Sequence, residues 1–293
     1  MADAANYNGS IGVQCGNHAF GEFAAGSDHC IRNFHNAIDK WPECWHLQEG
    51  LGKYFEQNGR KEDAIRFYVE AMKVDTNLPL SAAFDHWKLI AESKEESGDT
   101  EGAIEAWKTG AAHVPDDAAH QYWDAMVKIR EKSGNGNAMA DLYKEAIKKH
   151  PSACNYFTKE LAEVYARGGA RQLQFQTFHS AMTIDPDNVE EYGKQIRRIA
   201  LELTDRCIFQ PVDFILGVGI ESDPSNAAEY HKELGYAHMC RRNWMEAIDQ
   251  IGTFARLTQD DWAYLDIGNA YLGQGNVQAA IASYNQAIKS KTS

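Results

Sequence analysis

The chain has 293 residues, a hydrophobic content of 44% and a formal net charge of −13 at pH 7. The negative charge argues against DNA or RNA as the main partner, since phosphate binding needs a basic surface. The sequence shows no long apolar run, no basic head at the N-terminus and no paired cysteine framework, so we expect a cytoplasmic protein without a membrane or a signal peptide.

A periodic placement of proline predicts the architecture. Five of the seven prolines stand at one phase of a repeat of about 34 to 39 residues, which is typical of stacked helical hairpins. Ahead of each proline lie an aromatic or large aliphatic residue and then a small one. Each proline is expected to end a unit, because proline cannot continue a helix. These prolines are Pro42, Pro115, Pro151, Pro186 and Pro224.

In chain order, the pattern predicts about eight hairpins. The first, over residues 11–44, has a glycine-rich first half, and the sixth, over residues 193–227, is also degenerate. In the sixth, Pro211 marks the expected start of the second helix. We expect a flexible N-terminus over residues 1–10 and a single solenoid over residues 11–290. The units start near residues 11, 45, 84, 120, 155, 193, 228 and 261.

The last unit shows the pattern most clearly, with the small residue Gly268, the turn residue Gly275 and the aromatic Tyr284. This unit resembles the tetratricopeptide repeat, in which two antiparallel helices approach closely at small residues. The resemblance implies an all-α fold, a right-handed α-solenoid of helix hairpins whose first helices line a concave surface. Gln174 and Phe254 stand where the family has small residues, so we expect looser contacts there.

The resemblance also selects the residues that would face the concave surface. In the N-terminal third these residues are acidic. They form either a solvated charged face or a cradle for a basic peptide or polyamine, since electrostatic steering would favour such partners. The acidic candidates are Glu49, Asp85, Glu92 and Glu96.

The middle of the predicted concave surface is basic. Like charges in one strip repel unless acids or an anionic ligand neutralise them. Internal partners could be Glu163, Glu229 and Asp205, and the alternative is a carboxylate or phosphate on a ligand. The basic candidates are Lys159, Arg167, Lys194, Arg197 and Lys232.

The C-terminal third is more apolar, and Tyr236, Met239 and Trp262 fall on predicted concave positions. Trp262 is the most suggestive of the three, because exposed aromatic side chains often anchor a partner. The alternative interpretation is that these side chains only pack against the preceding unit.

Catalytic chemistry finds little support in the sequence. Cys15 and His18 have a ligand-like spacing, but zinc needs four such ligands and no paired C-x-x-C motif accompanies them. We interpret them as core residues. No nucleotide-binding glycine loop or nucleophile elbow occurs. The sequence therefore predicts no catalytic residue, no metal site and no cofactor.

Two functional hypotheses remain open. The first is a non-catalytic scaffold that holds a peptide or protein segment in the concave groove. The second is a protein, possibly an enzyme, that binds an anionic amphiphile such as a prenyl diphosphate in a closed cavity. The last hairpin lacks an additional polar helix, so a homodimer through this hairpin is a further expectation.

Overall fold

A computed structural model describes residues 28–74 and 80–289, with side chains for residues 31–74 and 83–288. Over these residues the secondary structure consists of fifteen α-helices and three short 3-10 turns, without a strand. This confirms the predicted all-α class. The predicted flexible segment 1–10 and the candidate residues Cys15 and His18 lie outside the described residues.

The chain divides into two compact units, with the boundary between Gly134 and Asn135. In the first unit each described helix packs against the next along the chain. The short connections make α2–α3 and α4–α5 antiparallel hairpins. The helices of this unit are α1 (Asp28–Lys40), α2 (Trp45–Gln57), α3 (Lys61–Val74), α4 (Leu80–Glu96), α5 (Thr100–Ala111) and α6 (Asp116–Lys132).

The second unit begins with a single helix and continues as four hairpins. Helix α10 contacts α12 as well as α11, so the first helices of successive hairpins lie side by side. The helices are α7 (Gly136–Lys149), α8 (Cys154–Arg167), α9 (Arg171–Ile184), α10 (Val189–Asp205), α11 (Val212–Ser222), α12 (Ala227–Cys240), α13 (Trp244–Thr258), α14 (Ala263–Gln274) and α15 (Val277–Lys289). The expectation of eight repeats in a single solenoid stays a prediction.

Proline marks the borders between hairpins, as the sequence predicts. Pro151, Pro186 and Pro224 each open a single 3-10 turn that leads into the first helix of the next hairpin. Pro211 occupies the position before α11, which confirms the predicted start of that helix. The fixed φ of proline suits the start of a helix, whereas its missing N–H excludes it from the interior.

The turns inside the hairpins use glycine followed by a capping residue. Gly98 and Gly275 adopt the left-handed region, with φ of 83° and 86°, which glycine enters without steric cost. The next residue then caps the second helix: the Asp99 carboxylate accepts from the Gly102 N–H, and the Asn276 side chain accepts from the Ala279 N–H. The sequence pair glycine–aspartate or glycine–asparagine thus reverses the chain.

Small residues in the first helix of a hairpin allow a large side chain of the second helix to lie against its backbone. A Cβ atom at Gly235 would stand 2.5 Å from Cγ1 of Ile251. At Gly52 it would stand 2.6 Å from the ring of Tyr68. Such distances are shorter than van der Waals contact, so only glycine permits this spacing of the two helices. The close approach predicted from the repeat is therefore present in both units.

We expect Gly235→Ala to lower the free energy of unfolding by about 1–3 kcal/mol, because the added methyl group overfills the contact with Ile251. Gly252→Ala is the matched control in the same hairpin, since a Cβ there meets no atom within 4 Å. It should be neutral or stabilising by up to about 1 kcal/mol, because alanine favours the helix. Urea denaturation measures both, and equal losses would contradict the proposed packing.

Candidate functional site

The second unit contains a cleft of about 610 Å³ that residues of α10, α12, α13 and α14 line. We call it the second-unit cleft. It brings together the three predicted apolar residues, Tyr236, Met239 and Trp262, with Lys232 from the predicted basic strip. Sequence positions far apart in the chain converge here, because α12 and α14 are the first helices of the last two hairpins.

Two aromatic side chains at this cleft are open to solvent. Trp262 is 52% exposed and Tyr236 is 45% exposed. The turn before α14 holds the tryptophan in place, since the backbone N–H of Trp262 donates to the Asp260 carboxylate at 2.9 Å. Exposed aromatic surface beside a concave cleft is typical of a binding site rather than of a packed core.

Phe254 forms part of the cleft wall. The tetratricopeptide repeat has a small residue at this position, so the sequence analysis expects a looser helix–helix contact at Phe254. The structure places the Phe254 side chain in the cleft wall, where it is 6% exposed. The Lys232 ammonium lies 5.2 Å from the centre of its ring, a distance that favours a cation–π contact. The departure from the repeat pattern thus supplies part of the cleft.

The charge of the second-unit cleft is mainly acidic, a feature that the sequence analysis missed. Glu233, Asp260 and Asp266 line it together with the single cation Lys232. Within the described ranges, no donor reaches hydrogen-bond distance of the Glu233 carboxylate. Burial raises the pKa of Glu233 above its ordinary value, and the nearby cations Arg197 and Lys232 oppose the shift. The cleft therefore suits a guest with apolar surface and positive charge.

The predicted basic strip does not form a set of unpaired cations. Lys194 Nζ lies 2.8 Å from Glu190 and Lys159 Nζ lies 3.5 Å from Glu191. Arg197 pairs with Glu229 at 3.4 Å. The structure favours the internal-pairing interpretation, and Glu229 is the one partner that the sequence anticipated.

The remaining contacts of the predicted basic strip differ from residue to residue. Arg197 also lies over the ring of Tyr230, with 5.5 Å between the guanidinium carbon and the ring centre. Arg167 is exposed in the last turn of α8. Lys232 is the one predicted cation of the five that lines the second-unit cleft.

The acidic candidates lie in the first unit and separate into two places. Glu49, Asp85 and Glu92 line one cleft between α2 and α4. Glu96 does not line this cleft, and both of its carboxylate oxygens accept from the Lys61 ammonium at 2.6 and 2.7 Å. A predicted position on the concave surface is therefore not enough to determine which acidic residues line the same cleft.

The described residues contain neither a candidate metal site nor a membrane-spanning helix. In this part of the chain, no group of three or more histidine, cysteine, aspartate or glutamate side chains is arranged to hold a metal ion. None of the helices there is both long and apolar enough to cross a lipid bilayer.

Stacked helix hairpins with a lined concave cleft define a helical-repeat protein. Family models of the tetratricopeptide repeat match residues 31–73 and residues 263–293. The first match covers α2 and most of α1 and α3, and the second covers α14 and α15. The chain therefore carries tetratricopeptide repeats in these two segments.

Solved structures with a similar arrangement are distant in sequence. A structure of MamA protein is 16% identical, covering 71% of this chain and 92% of that one, with a TM-score of 0.37. The P58(IPK) TPR domain is 15% identical, covering 97% and 92%, with a TM-score of 0.30. BtubC from P. vanneervenii is 16% identical, covering 70% and 91%, with a TM-score of 0.39. None of the curated proteins matches the chain.

The raised pKa of Glu233 yields a test of its position in the cleft. At neutral pH the half-buried carboxylate of Glu233 is less stable than in the unfolded chain, so Glu233→Gln should raise the melting temperature. The gain should disappear as the pH falls through the raised native pKa to the unfolded value, because both states then carry a proton. Thermal unfolding against pH measures this, with the exposed Glu246→Gln as control. A gain that persists in acid would contradict burial as the cause.

Proposed function

We propose that the protein is a non-catalytic scaffold that binds a segment of another protein in its second-unit cleft. Tetratricopeptide repeats support a role in protein interaction. The observation that supports binding in the second-unit cleft is that the exposed side chains of Trp262 and Tyr236 line it together with Met239. Aromatic residues and methionine are enriched where proteins bind one another, because they bury much apolar area.

The size and charge of the cleft indicate which segment fits. A volume of about 610 Å³ accommodates one or two large side chains rather than a folded domain. The carboxylates of Glu233, Asp260 and Asp266 outnumber the single ammonium of Lys232. We infer a segment with an aromatic or aliphatic anchor next to a lysine or arginine, whose charge complements the cleft.

The alternative, an anionic amphiphile such as a prenyl diphosphate, receives less support. Its head group would need cations, and Lys159, Lys194 and Arg197 are already paired with glutamates. Binding a diphosphate would require breaking those pairs. The apolar wall beside Trp262 could accept a hydrocarbon tail, but the acids around it would repel the head group.

Peptides selected by display on the purified full chain test the proposal. We expect them to carry an apolar anchor next to a basic residue. Met239→Ala should weaken their binding about tenfold, because it removes apolar contact area inside the cleft. Met245→Ala is the matched control, since Met245 is 71% exposed and lies outside the cleft. Its effect should stay within about twofold.

Two outcomes would overturn this proposal. Equal losses for the two methionine variants would place the peptide elsewhere. A prenyl diphosphate that raises the melting temperature, while no displayed peptide binds, would favour the small-molecule alternative, since a ligand of the native state stabilises it.

We also propose that a second copy of the chain covers the last helix. Val277, Ile281 and Ile288 are each more than half exposed and lie on one face of α15. Ile281→Glu should shift sedimentation equilibrium towards the monomer, because a charge cannot be buried there without a partner. Gln278→Glu adds the same charge at an exposed position of the same helix and should leave the distribution unchanged. A wild-type chain that is monomeric at every concentration contradicts this proposal.

A further inference from the structure

The first unit contains a separate cleft of about 510 Å³ between α2, α3 and α4. We call it the first-unit cleft. Its walls combine charged residues of the two first helices, α2 and α4, with the aromatic side chain of Tyr68 from α3. Most of these residues hold the same repeat positions as residues of the second-unit cleft, but the first-unit cleft carries more charge and less apolar surface.

Negative charge dominates the first-unit cleft. Four carboxylates line it, from Glu49, Glu56, Asp85 and Glu92, against the amines of two lysines. Lys53 pairs with Glu49 at 2.7 Å. Lys88 stands 3.9 Å from Glu92, at the limit of an ion pair. Asp85 is exposed and has neither an ion pair nor a hydrogen bond to the described part of the chain. Two negative charges thus remain in excess.

A buried histidine gives a second, independent indication of a ligand. His86 lines the cleft and is 3% exposed. Its Nδ1 atom has no hydrogen-bond partner among the residues that the structure describes. Its Nε2 atom lies 3.9 Å from Glu49, beyond hydrogen-bond distance. Buried polar atoms are rarely left unpaired, so a polar group of a bound molecule is the natural partner for this ring.

The histidine does not cancel the acidic charge. Burial lowers the pKa of His86 below its ordinary value, although the Glu49 carboxylate opposes the shift. Lys53 lowers this pKa, and Asp85 and Glu56 raise it. The ring is therefore neutral at pH 7 and serves as a hydrogen-bonding group.

The cleft is also rigid. The Tyr68 hydroxyl donates to the Glu56 carboxylate at 2.6 Å, and the ring of Tyr68 stacks on His86 with 4.0 Å between centroids. Gly52 allows this arrangement, because a side chain there would collide with the Tyr68 ring. The Tyr68 ring and the Glu56 carboxylate are thus held in place before a ligand binds, which lowers the entropic cost of binding.

We propose that the first-unit cleft binds a lysine or arginine side chain carried by a protein segment. The excess carboxylates attract the charged end of such a side chain. Trp45, Tyr68 and Leu89 offer apolar surface to its aliphatic stem. A polyamine presents the same ammonium chemistry, but Asp85 is the one lining carboxylate with neither an ion pair nor a hydrogen bond to the described residues, which matches the single charge of a lysine or arginine better than the several charges of a polyamine. This site is distinct from the second-unit cleft and needs no apolar anchor.

The test uses the full chain, uniformly labelled with nitrogen-15, and a short glycine–serine peptide with one central lysine. We expect amide shifts on α2 and α4 that saturate with peptide and weaken with added salt. The same peptide with acetyl-lysine should bind at least about fivefold more weakly, since acetylation removes the charge. Asp85→Asn should weaken the lysine peptide about threefold to fivefold, the range of an exposed ion pair.

Matched variants separate this site from others. Asp39→Asn removes an exposed carboxylate on α1, outside the cleft, and should leave the affinity within about twofold. Met239→Ala should have no effect, so a failure of the second-unit proposal remains distinguishable from a failure here. Equal binding of the acetylated peptide, or equal losses for the two aspartate variants, overturns the inference. Saturable binding of spermidine without binding of the peptide does so as well.

Discussion

The structure depends on one steric constraint, a small residue at one position in the first helix of a hairpin. At Gly52 and Gly235 the missing Cβ lets a large residue of the second helix rest against the backbone. The two helices then pack as one layer, and proline at the end of the hairpin directs the chain into the next. Burial of aromatic and aliphatic side chains contributes favourable free energy.

The same constraint decides where binding surface is available. Because the contact inside a hairpin uses one side of its first helix, the opposite side is left for solvent or for a partner. In the second unit this free side, together with Phe254 at a position that usually holds a small residue, produces a cleft with exposed Trp262. In the first unit the corresponding positions carry carboxylates around Tyr68 and His86.

Charge pairing distinguishes the basic middle of the chain from both clefts. Lys194 and Arg197 each meet a glutamate that the helix geometry brings within reach, the first four residues earlier on α10 and the second at the start of α12. Such pairs contribute little to stability when exposed, but they occupy the cations. Glu233 and Asp85 have no such partner among the described residues. Because their carboxylates are unpaired and the cations are paired, we expect a cationic rather than an anionic ligand.

The sequence by itself determined the fold class, the hairpin borders and the turns, because proline and glycine act through their own backbone geometry and need no distant partner. It also selected Tyr236, Met239 and Trp262 as candidates, and the structure places these three residues in one cleft. Only the tertiary structure decided which charges are paired and that Glu233 shares the cleft with Lys232. Adjacent helical residues point about 100° apart, so the bend and spacing of neighbouring helices, rather than position in the repeat, bring both side chains to one surface.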